Sequence, residues 1–273
     1  MDFVIGFLIA VVIALTGVGA GVITAPLLIL FLHVPLEVAV STALAYSAVV
    51  KLIVVPVQVV RRQVNYRVLG FMLLGGLPGV IVGSLLFKHV VAHGPHSVLT
   101  FTLGAIILFT SGWHIYRHLR PTGIARPSRD RSKLLGLIMF PIGAEVGFSS
   151  SGAGALGTVS LLSLTSLSAA QVVGTDLAFG LGIALVGTGV HLFGGTYDSA
   201  LLIRLAIGGI LGGIVGSGFA PKIPNRYLRF ALSLWLMVIG FQFCYQAATA
   251  APHKIQSQAA IAQAYTHKKN GTP

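Results

Sequence analysis

The sequence predicts an all-α membrane protein of two homologous repeats, each with a glycine-broken helix hairpin and three transmembrane helices. Three observations predict this fold. First, 55% of the 273 residues are hydrophobic and only 9% are charged, whereas a soluble domain has about 25% charged residues. Second, most of the chain lies in eight long apolar runs. Third, the second half of the chain repeats the first at a fixed spacing.

The apolar runs cover 3–32, 38–60, 68–87, 98–116, 134–165, 169–193, 201–220 and 228–250. A helix needs about 20 apolar residues to cross the hydrocarbon core, so six runs predict single spans. The first and fifth runs are longer, and closely spaced glycines interrupt both near the middle. Only Met1-Asp2 precedes the first run, with no basic residue, which favours a retained membrane segment over a signal peptide.

The two interrupted runs are related by an offset of 133 residues without a gap. The matches include Gly19-Ala20-Gly21 with Gly152-Ala153-Gly154, Thr42 with Thr175, and Ile81–Ser84 with Ile214–Ser217. Over Thr16–Lys88, 18 of 73 positions are identical, and many of them are glycines. Shared apolar composition would not keep this register, so the sequence predicts an internal duplication. We expect a first repeat over 1–117, a basic cytoplasmic linker over 118–133, a second repeat over 134–250 and a polar tail over 251–273.

The orientation of the repeats depends on whether the interrupted runs cross the membrane. If they cross, each repeat has four spans and the copies are parallel. If each folds back as a re-entrant hairpin, the copies are inverted, and the loops Arg61–Arg67, Arg117–Lys133 and Lys222–Arg229 share one face. Charge favours inversion only slightly. We favour the inverted arrangement because half-helices that meet inside the membrane form the binding sites of many transporters.

The glycine-rich breaks are the predicted binding site. Glycine costs about 1 kcal/mol relative to alanine in a helix, and irregular backbone in a membrane is tolerated only where it is buried or lines a cavity. Helix N-termini at the breaks would offer unpaired amides and a partial positive charge to a compact oxyanion. The candidate residues are Gly19, Ala20, Gly21, Thr24, Ser41 and Thr42 in the first half, and Ser150, Ser151, Gly152, Ala153, Gly154, Thr158 and Thr175 in the second.

Each candidate hydroxyl also has a structural alternative. Serine and threonine satisfy backbone groups within membrane helices or allow close helix packing. Thr42 and Thr175 would alternatively cap their own helices.

Three ionisable residues lie within apolar runs and are candidates for coupling or charge. They are Lys51, Glu145 and Asp176. Such groups cost about 2.5–3.5 kcal/mol to insert, so each is a functional hypothesis by default. Lys51 would attract the anion or pair with Asp176, and Asp176 or Glu145 would take up a proton. The alternative for each is a structural or interfacial ion pair.

Two short motifs, present in both halves, carry a resemblance to a known family. Gly-Val-Gly-Ala-Gly at 17–21, Pro26-Leu27-Leu28 and Ala39-Val40-Ser41-Thr42 resemble the signature of the sulfite exporter TauE/SafE family of membrane transporters. The second copy has Gly152-Ala153-Gly154 and Val172-Val173-Gly174-Thr175, but Val159-Ser160-Leu161 replaces Pro-Leu-Leu. The resemblance implies a secondary transporter in the cell (inner) membrane, most simply an exporter, with sulfite or an organosulfonate as its anionic substrate.

Other function classes find less support in the sequence. The basic residues lie in short loops, which is typical of membrane topology rather than nucleic-acid binding. An intramembrane enzyme would need a motif such as Gly-x-Ser-x-Gly or His-Glu-x-x-His, and neither occurs. The sequence predicts no metal site and no cofactor, since His89, His93 and His96 lack an acidic partner and Cys244 is the single cysteine. A non-transporting scaffold and a homo-oligomer stay open. The stripes Gly75, Gly79, Gly83 and Gly208, Gly212, Gly216 predict close helix packing.

Overall fold

We describe the protein from a computed structural model, which carries side chains. The structure describes residues 2–16, 20–93, 96–119, 131–150, 153–192, 198–219, 234, 237–245 and 247–248. Within these ranges the chain is helical apart from short turns, and they contain no strand. The predicted all-α fold class is therefore confirmed at this level.

Nine α-helices follow one another along the chain. They are α1 (Asp2–Thr16), α2 (Ala20–Leu32), α3 (Leu36–Val60), α4 (Tyr66–His93), α5 (His96–Leu119), α6 (Leu135–Ser149), α7 (Ala153–Leu164), α8 (Ala169–Leu192) and α9 (Ser199–Phe219), with a short 3-10 helix at Ser132–Leu134 before α6. Residues 237–245, within the last apolar run, are also helical.

Five helical segments of the described chain are long and apolar enough to cross a membrane. They are Leu36–Val60, Tyr66–His93, Ser132–Ser149, Ala169–Leu192 and Ser199–Gly216. Many large apolar side chains on them are exposed, such as Leu74, Leu137 and Ile203, and lipid is the solvent that suits such surfaces. The chain is a multi-pass membrane protein. The runs 3–32 and 134–165 each form two helices rather than one.

Side-chain caps begin the helices that follow the α3–α4 and α8–α9 connections. Oδ1 of Asn65 accepts a hydrogen bond from Val68 N–H at 3.1 Å, and Oδ1 of Asp198 accepts from Leu201 N–H at 3.0 Å. Asn and Asp are preferred there because their side chains satisfy the free amides of a first turn. These two caps are again 133 residues apart.

The glycine stripes let pairs of helices approach closely, as the sequence predicted. A Cβ on Gly75, Gly79 or Gly83 of α4 would overlap backbone atoms of α6, and a Cβ on Gly208 or Gly212 of α9 would overlap backbone atoms of α1. The order of the contacts is parallel, because Gly75 faces Gly136 and Gly83 faces Ala144. Only glycine permits such backbone contact.

Helices α3 and α8 pack against each other in the opposite sense. Leu44 of α3 contacts α8 at Gly187, and Lys51 contacts it at Gly180, so residue numbers rise along one helix as they fall along the other. One buried cluster on each side of this pair, around Phe179 and around Tyr46, forms most of the apolar core. The polar groups described next lie along α3 and α8.

Candidate functional site

The second glycine break begins where α6 ends. Ser150 adopts a left-handed conformation, with φ 59° and ψ 2°, and donates its N–H to the carbonyl of Val146 at 2.8 Å. A non-glycine residue in this region stops the helix and turns the chain. Helix α7 then begins at Ala153, with Gly154 in its first turn. Of the predicted site residues here, Ser151 and Gly152 lie outside the described residues.

The first break is described in less detail. Helix α1 ends at Thr16, and α2 begins with Ala20 and Gly21. Gly19 lies outside the described residues. Thr24, in the second turn of α2, is fully buried.

Two candidate hydroxyls are buried without a hydrogen-bond partner in the described structure. They are Oγ1 of Thr42, a residue with no exposed surface, and Oγ of Ser150, a residue 4% exposed. Thr42 therefore does not cap its own helix, which was the structural alternative. An unpaired buried hydroxyl costs roughly 1–3 kcal/mol, so each is a polar group that a ligand would satisfy.

A buried chain of hydrogen bonds connects α3, near Thr42, with α6, near Ser150. Oγ of Ser41 lies 2.9 Å from Nδ1 of His191, and Nε2 of His191 lies 3.1 Å from the carbonyl oxygen of Gly147. The hydroxyl of Ser84 also donates to Gly147, at 3.3 Å. Sequence reasoning placed Ser41 in the site but treated His191 as a packing or interfacial residue.

An apolar cluster surrounds this chain and brings the two interrupted runs together. Phe148 of α6 packs edge to face on Phe87 of α4, with ring centroids 5.7 Å apart, and both share a buried cluster with Ala25 of α2 and Ala43 of α3. The α2 segment after the first break and the end of α6 thus meet beside α3. Ser41, Thr42 and Ser150 lie at the edge of this cluster.

A second polar group joins α7 to α8. The hydroxyl of Thr158 donates to Oδ2 of Asp176 at 2.8 Å. Gly157, the preceding residue, faces Oδ1 of the same carboxylate so closely that a Cβ would overlap it. Two of the predicted residues, Thr158 and Asp176, are therefore in direct contact.

Lys51 is the third member of this second group. It is 5% exposed, as is Asp176, and the two side chains interact electrostatically. Its ammonium group lies against α8 at Gly180, where a Cβ would again overlap it. Gly180 is one helical turn beyond Asp176, so the opposite charges share one face of α8.

The remaining candidates have structural partners or lie outside the two polar groups. Oγ1 of Thr175 accepts the backbone N–H of Asn65 at 3.0 Å, so it holds the start of α4 rather than capping its own helix. Glu145 is half-buried on α6, and its carbonyl accepts the hydroxyl of Ser149 at 3.0 Å. Among the described residues no group of three or more His, Cys, Asp or Glu could hold a metal ion.

Comparisons with known proteins agree with the multi-pass membrane fold. The family model described as "Sulfite exporter TauE/SafE" matches residues 3–243. Two proteins of Bacillus subtilis (strain 168) are similar along most of their length. "Probable membrane transporter protein YjnA" is 28% identical, with 87% of this chain and 96% of that protein covered. "Probable membrane transporter protein YdhB" is 23% identical, with 86% and 95% covered. No solved structure matches the chain significantly.

Proposed function

Because the chain belongs to the sulfite exporter TauE/SafE family, we propose that it is a secondary transporter that exports a small anion by alternating access. The proposed substrate class is sulfite or an organosulfonate, and the proposed location is the cell (inner) membrane. The two glycine breaks form the proposed binding region. The enzyme and scaffold alternatives give way to transport because both similar proteins have transporter names.

The first part of the proposal is that each interrupted run is a re-entrant hairpin. Arg131, just before α6, donates its backbone N–H to the carbonyl of Leu164, the last residue of α7, at 3.0 Å. Ile5 of α1 and Phe31 of α2 line the same apolar cavity of about 350 Å³. In a continuous helix they would be about 39 Å apart, too far to share it. Both observations support a chain that folds back at the break.

The second part is that the two repeats have inverted topology. The contacts of α4 with α6 are matched, 133 residues on, by those of α9 with α1, and both pairs run parallel. Gly76 packs on Phe179 as Gly209 packs on Tyr46. Helix α3 contacts its counterpart α8 in the antiparallel sense. A two-fold axis in the membrane plane produces this pattern, and it is the arrangement of alternating-access transporters with inverted repeats.

The single observation that carries the binding site is the pair of unpartnered buried hydroxyls, Thr42 Oγ1 and Ser150 Oγ. Ser41, next to Thr42, is joined through His191 to Gly147, three residues before Ser150. The hydroxyls therefore belong to neighbouring segments of α3 and α6. A sulfite or sulfonate oxygen accepts hydrogen bonds, so it would satisfy both donors. The N-terminus of α7, which follows Ser150, would favour the negative charge.

Counterflow in proteoliposomes tests this proposal. We expect unlabelled sulfite or methanesulfonate inside the vesicles to drive uptake of the labelled anion, whereas empty vesicles show none. Sulfate and phosphate in parallel define the selectivity. Thr42→Val and Ser150→Ala remove the unpartnered hydroxyls and should each raise the apparent KM about tenfold, the effect of losing about 1.4 kcal/mol of binding.

Thr165→Val is the matched control. Its hydroxyl is also buried, but it donates to Leu161 in its own helix, so its loss should leave the KM unchanged. A protein that is folded by size-exclusion chromatography but exchanges none of these anions would contradict the proposal. Equal KM values for all three variants would contradict the assigned site and leave transport intact.

One observation favours a second candidate, an intramembrane hydrolase. Ser41 and His191 are within hydrogen-bond distance of each other, as are a nucleophile and its general base. However, the other ring nitrogen faces a backbone carbonyl rather than a carboxylate, and both residues are 1% exposed. Labelling of the wild type but not of Ser41→Ala by a fluorophosphonate would support the hydrolase.

A further inference from the structure

The charge pair on α3 and α8 carries a role beyond binding the anion. Lys51 and Asp176 are each 5% exposed, yet they lie in helices that cross the membrane. Burying two charges is costly, and hydrophobic residues would hold the helices together at least as well. Such residues inside a membrane usually mark an ion or proton path.

Both charges lie in places that glycines have cleared for them. A Cβ at Gly180 would overlap the Lys51 ammonium, and a Cβ at Gly157 would overlap the Asp176 carboxylate. The carboxylate is in addition fixed by the Thr158 hydroxyl. Because α7 follows the glycine break directly, Asp176 is in contact with the helix whose first turn would face the anion.

We propose that Asp176 is a proton-binding site and that its proton crosses the membrane together with the substrate anion. This proposal rests on the transport function proposed above. When no anion is bound, Asp176 is ionised and neutralises Lys51. When an anion arrives, it takes over Lys51 as its counter-charge, and Asp176 binds one proton from water to become a neutral acid. Release of the anion reverses both changes.

Charge balance is the physical reason for linking the two events. Lysine and ionised aspartate sum to zero, so a bound monoanion would leave one uncompensated negative charge in a medium of low dielectric constant. Such a charge costs far more than a neutral carboxylic acid does. One proton on Asp176 restores neutrality, and a negative neighbour favours that protonation.

The surroundings of Asp176 suit both protonation states. The hydroxyl of Thr158 donates to the carboxylate, and after protonation it can instead accept from the acid, because a hydroxyl does both. Helix α7 contains no titratable side chain. From α3, Lys51 faces the carboxylate, while Tyr46 donates its hydroxyl to Gly6 and Glu37 lies in the first helical turn. Lys51 is therefore the counter-charge that the packed helices contribute.

The test uses methanesulfonate, whose charge does not change with pH, and sulfite in parallel. Proteoliposomes are held at zero membrane potential with valinomycin and equal potassium on both sides. For the wild type, we expect one unit of pH difference to drive about tenfold accumulation on the alkaline side, since each carried proton contributes about 1.4 kcal/mol. A membrane potential alone should drive no accumulation, because one proton and one monoanion move together without net charge.

Asp176→Asn separates coupling from transport. This variant should still exchange anion in counterflow, with an altered KM, but the pH difference should drive no accumulation and the flux should respond to membrane potential. Asp176→Glu should regain the pH response. Asp2→Asn breaks the exposed pair with Arg204 and should change neither quantity.

The outcomes distinguish the two proposals. A wild type that exchanges anion but ignores the pH difference would overturn the proton site and leave the transport function standing. An Asp176→Asn variant that accumulates anion as the wild type does would also overturn it. No counterflow by the wild type with either anion would overturn both proposals.

Discussion

Oγ of Ser41 and Nδ1 of His191 lie 2.9 Å apart, although 150 positions separate the residues in the chain. The other ring nitrogen faces the carbonyl oxygen of Gly147, which can only accept, so Nε2 carries the hydrogen. In the neutral ring, Nδ1 is then the acceptor and the Ser41 hydroxyl donates to it. One buried histidine thus ties α3 to α6 from the last turn of α8.

The first prediction concerns this histidine. His191→Phe keeps a ring of similar size but removes two buried hydrogen bonds, so the free energy of unfolding should fall by about 1–3 kcal/mol. Equilibrium unfolding in mixed detergent micelles measures the change.

His93→Phe is the control, because its ring is exposed at the end of α4 and bonds only to the carbonyl of His89, at 3.3 Å. It should unfold within about 0.5 kcal/mol of the wild type. Equal stability of the two variants would show that the Ser41–His191–Gly147 chain contributes nothing measurable.

The sequence could predict the helix classes and the breaks because the causes are local. Three closely spaced glycines weaken a helix wherever they occur, and Ser150 adds a left-handed turn at the end of α6. The close packing of the glycine stripes was also predictable, since small residues at every fourth position form one face of a helix. That prediction is confirmed by the contacts of Gly79 and Gly212.

Partners distant in sequence could not be predicted. Thr175 binds the amide of Asn65, 110 positions away, and Ser41 finds its histidine only after α8 packs on α3. The repeat relation pointed to Thr42 and Thr175 as equivalents, but the structure gives their hydroxyls different surroundings. Tertiary packing decides such pairs, and a single sequence records it only as apolar periodicity.

The second prediction tests the contact between α7 and Asp176. Gly157→Ala places a methyl group where Oδ1 of Asp176 lies, so the buried carboxylate must move and the Thr158 bond must weaken. Displacement of a site group by about 1 Å can cost a hundredfold in rate, so we expect anion flux to fall about ten- to a hundredfold. Flux in proteoliposomes, corrected for the amount of folded protein, is the measurement. Gly189→Ala on α8 has no atom within 4 Å of the new carbon and should keep its flux. Unchanged flux in Gly157→Ala would show that the position of the carboxylate does not matter for transport.

The third prediction tests the close packing of α4 on α6. A Cβ on Gly79 would overlap the carbonyl oxygen of Phe140, and a backbone group cannot move aside cheaply. Gly79→Ala should therefore destabilise the protein by about 1–3 kcal/mol through overpacking. Gly70→Ala lies on the same helix with nothing within 4 Å and should leave the midpoint of unfolding unchanged. If both alanine variants unfold alike, the helices have room that the contact excludes.

The fourth prediction distinguishes a re-entrant second hairpin from a crossing helix. Cys244 is the single cysteine, so Cys244→Ala gives a background for one added cysteine at a time. Tyr66 and His93 begin and end the 28-residue helix α4, so they mark opposite membrane faces. Ser166, exposed in the turn after α7, is the informative position. If α6 and α7 fold back, as the bond from Arg131 to Leu164 supports, an impermeant maleimide will label Ser166→Cys from the same face as Tyr66→Cys. If the run crosses instead, Ser166→Cys will label with His93→Cys, and the inverted arrangement of the repeats would have to be abandoned. Labelling of right-side-out and inside-out vesicles assigns each face, and anion counterflow of each variant shows that the labelled protein is folded.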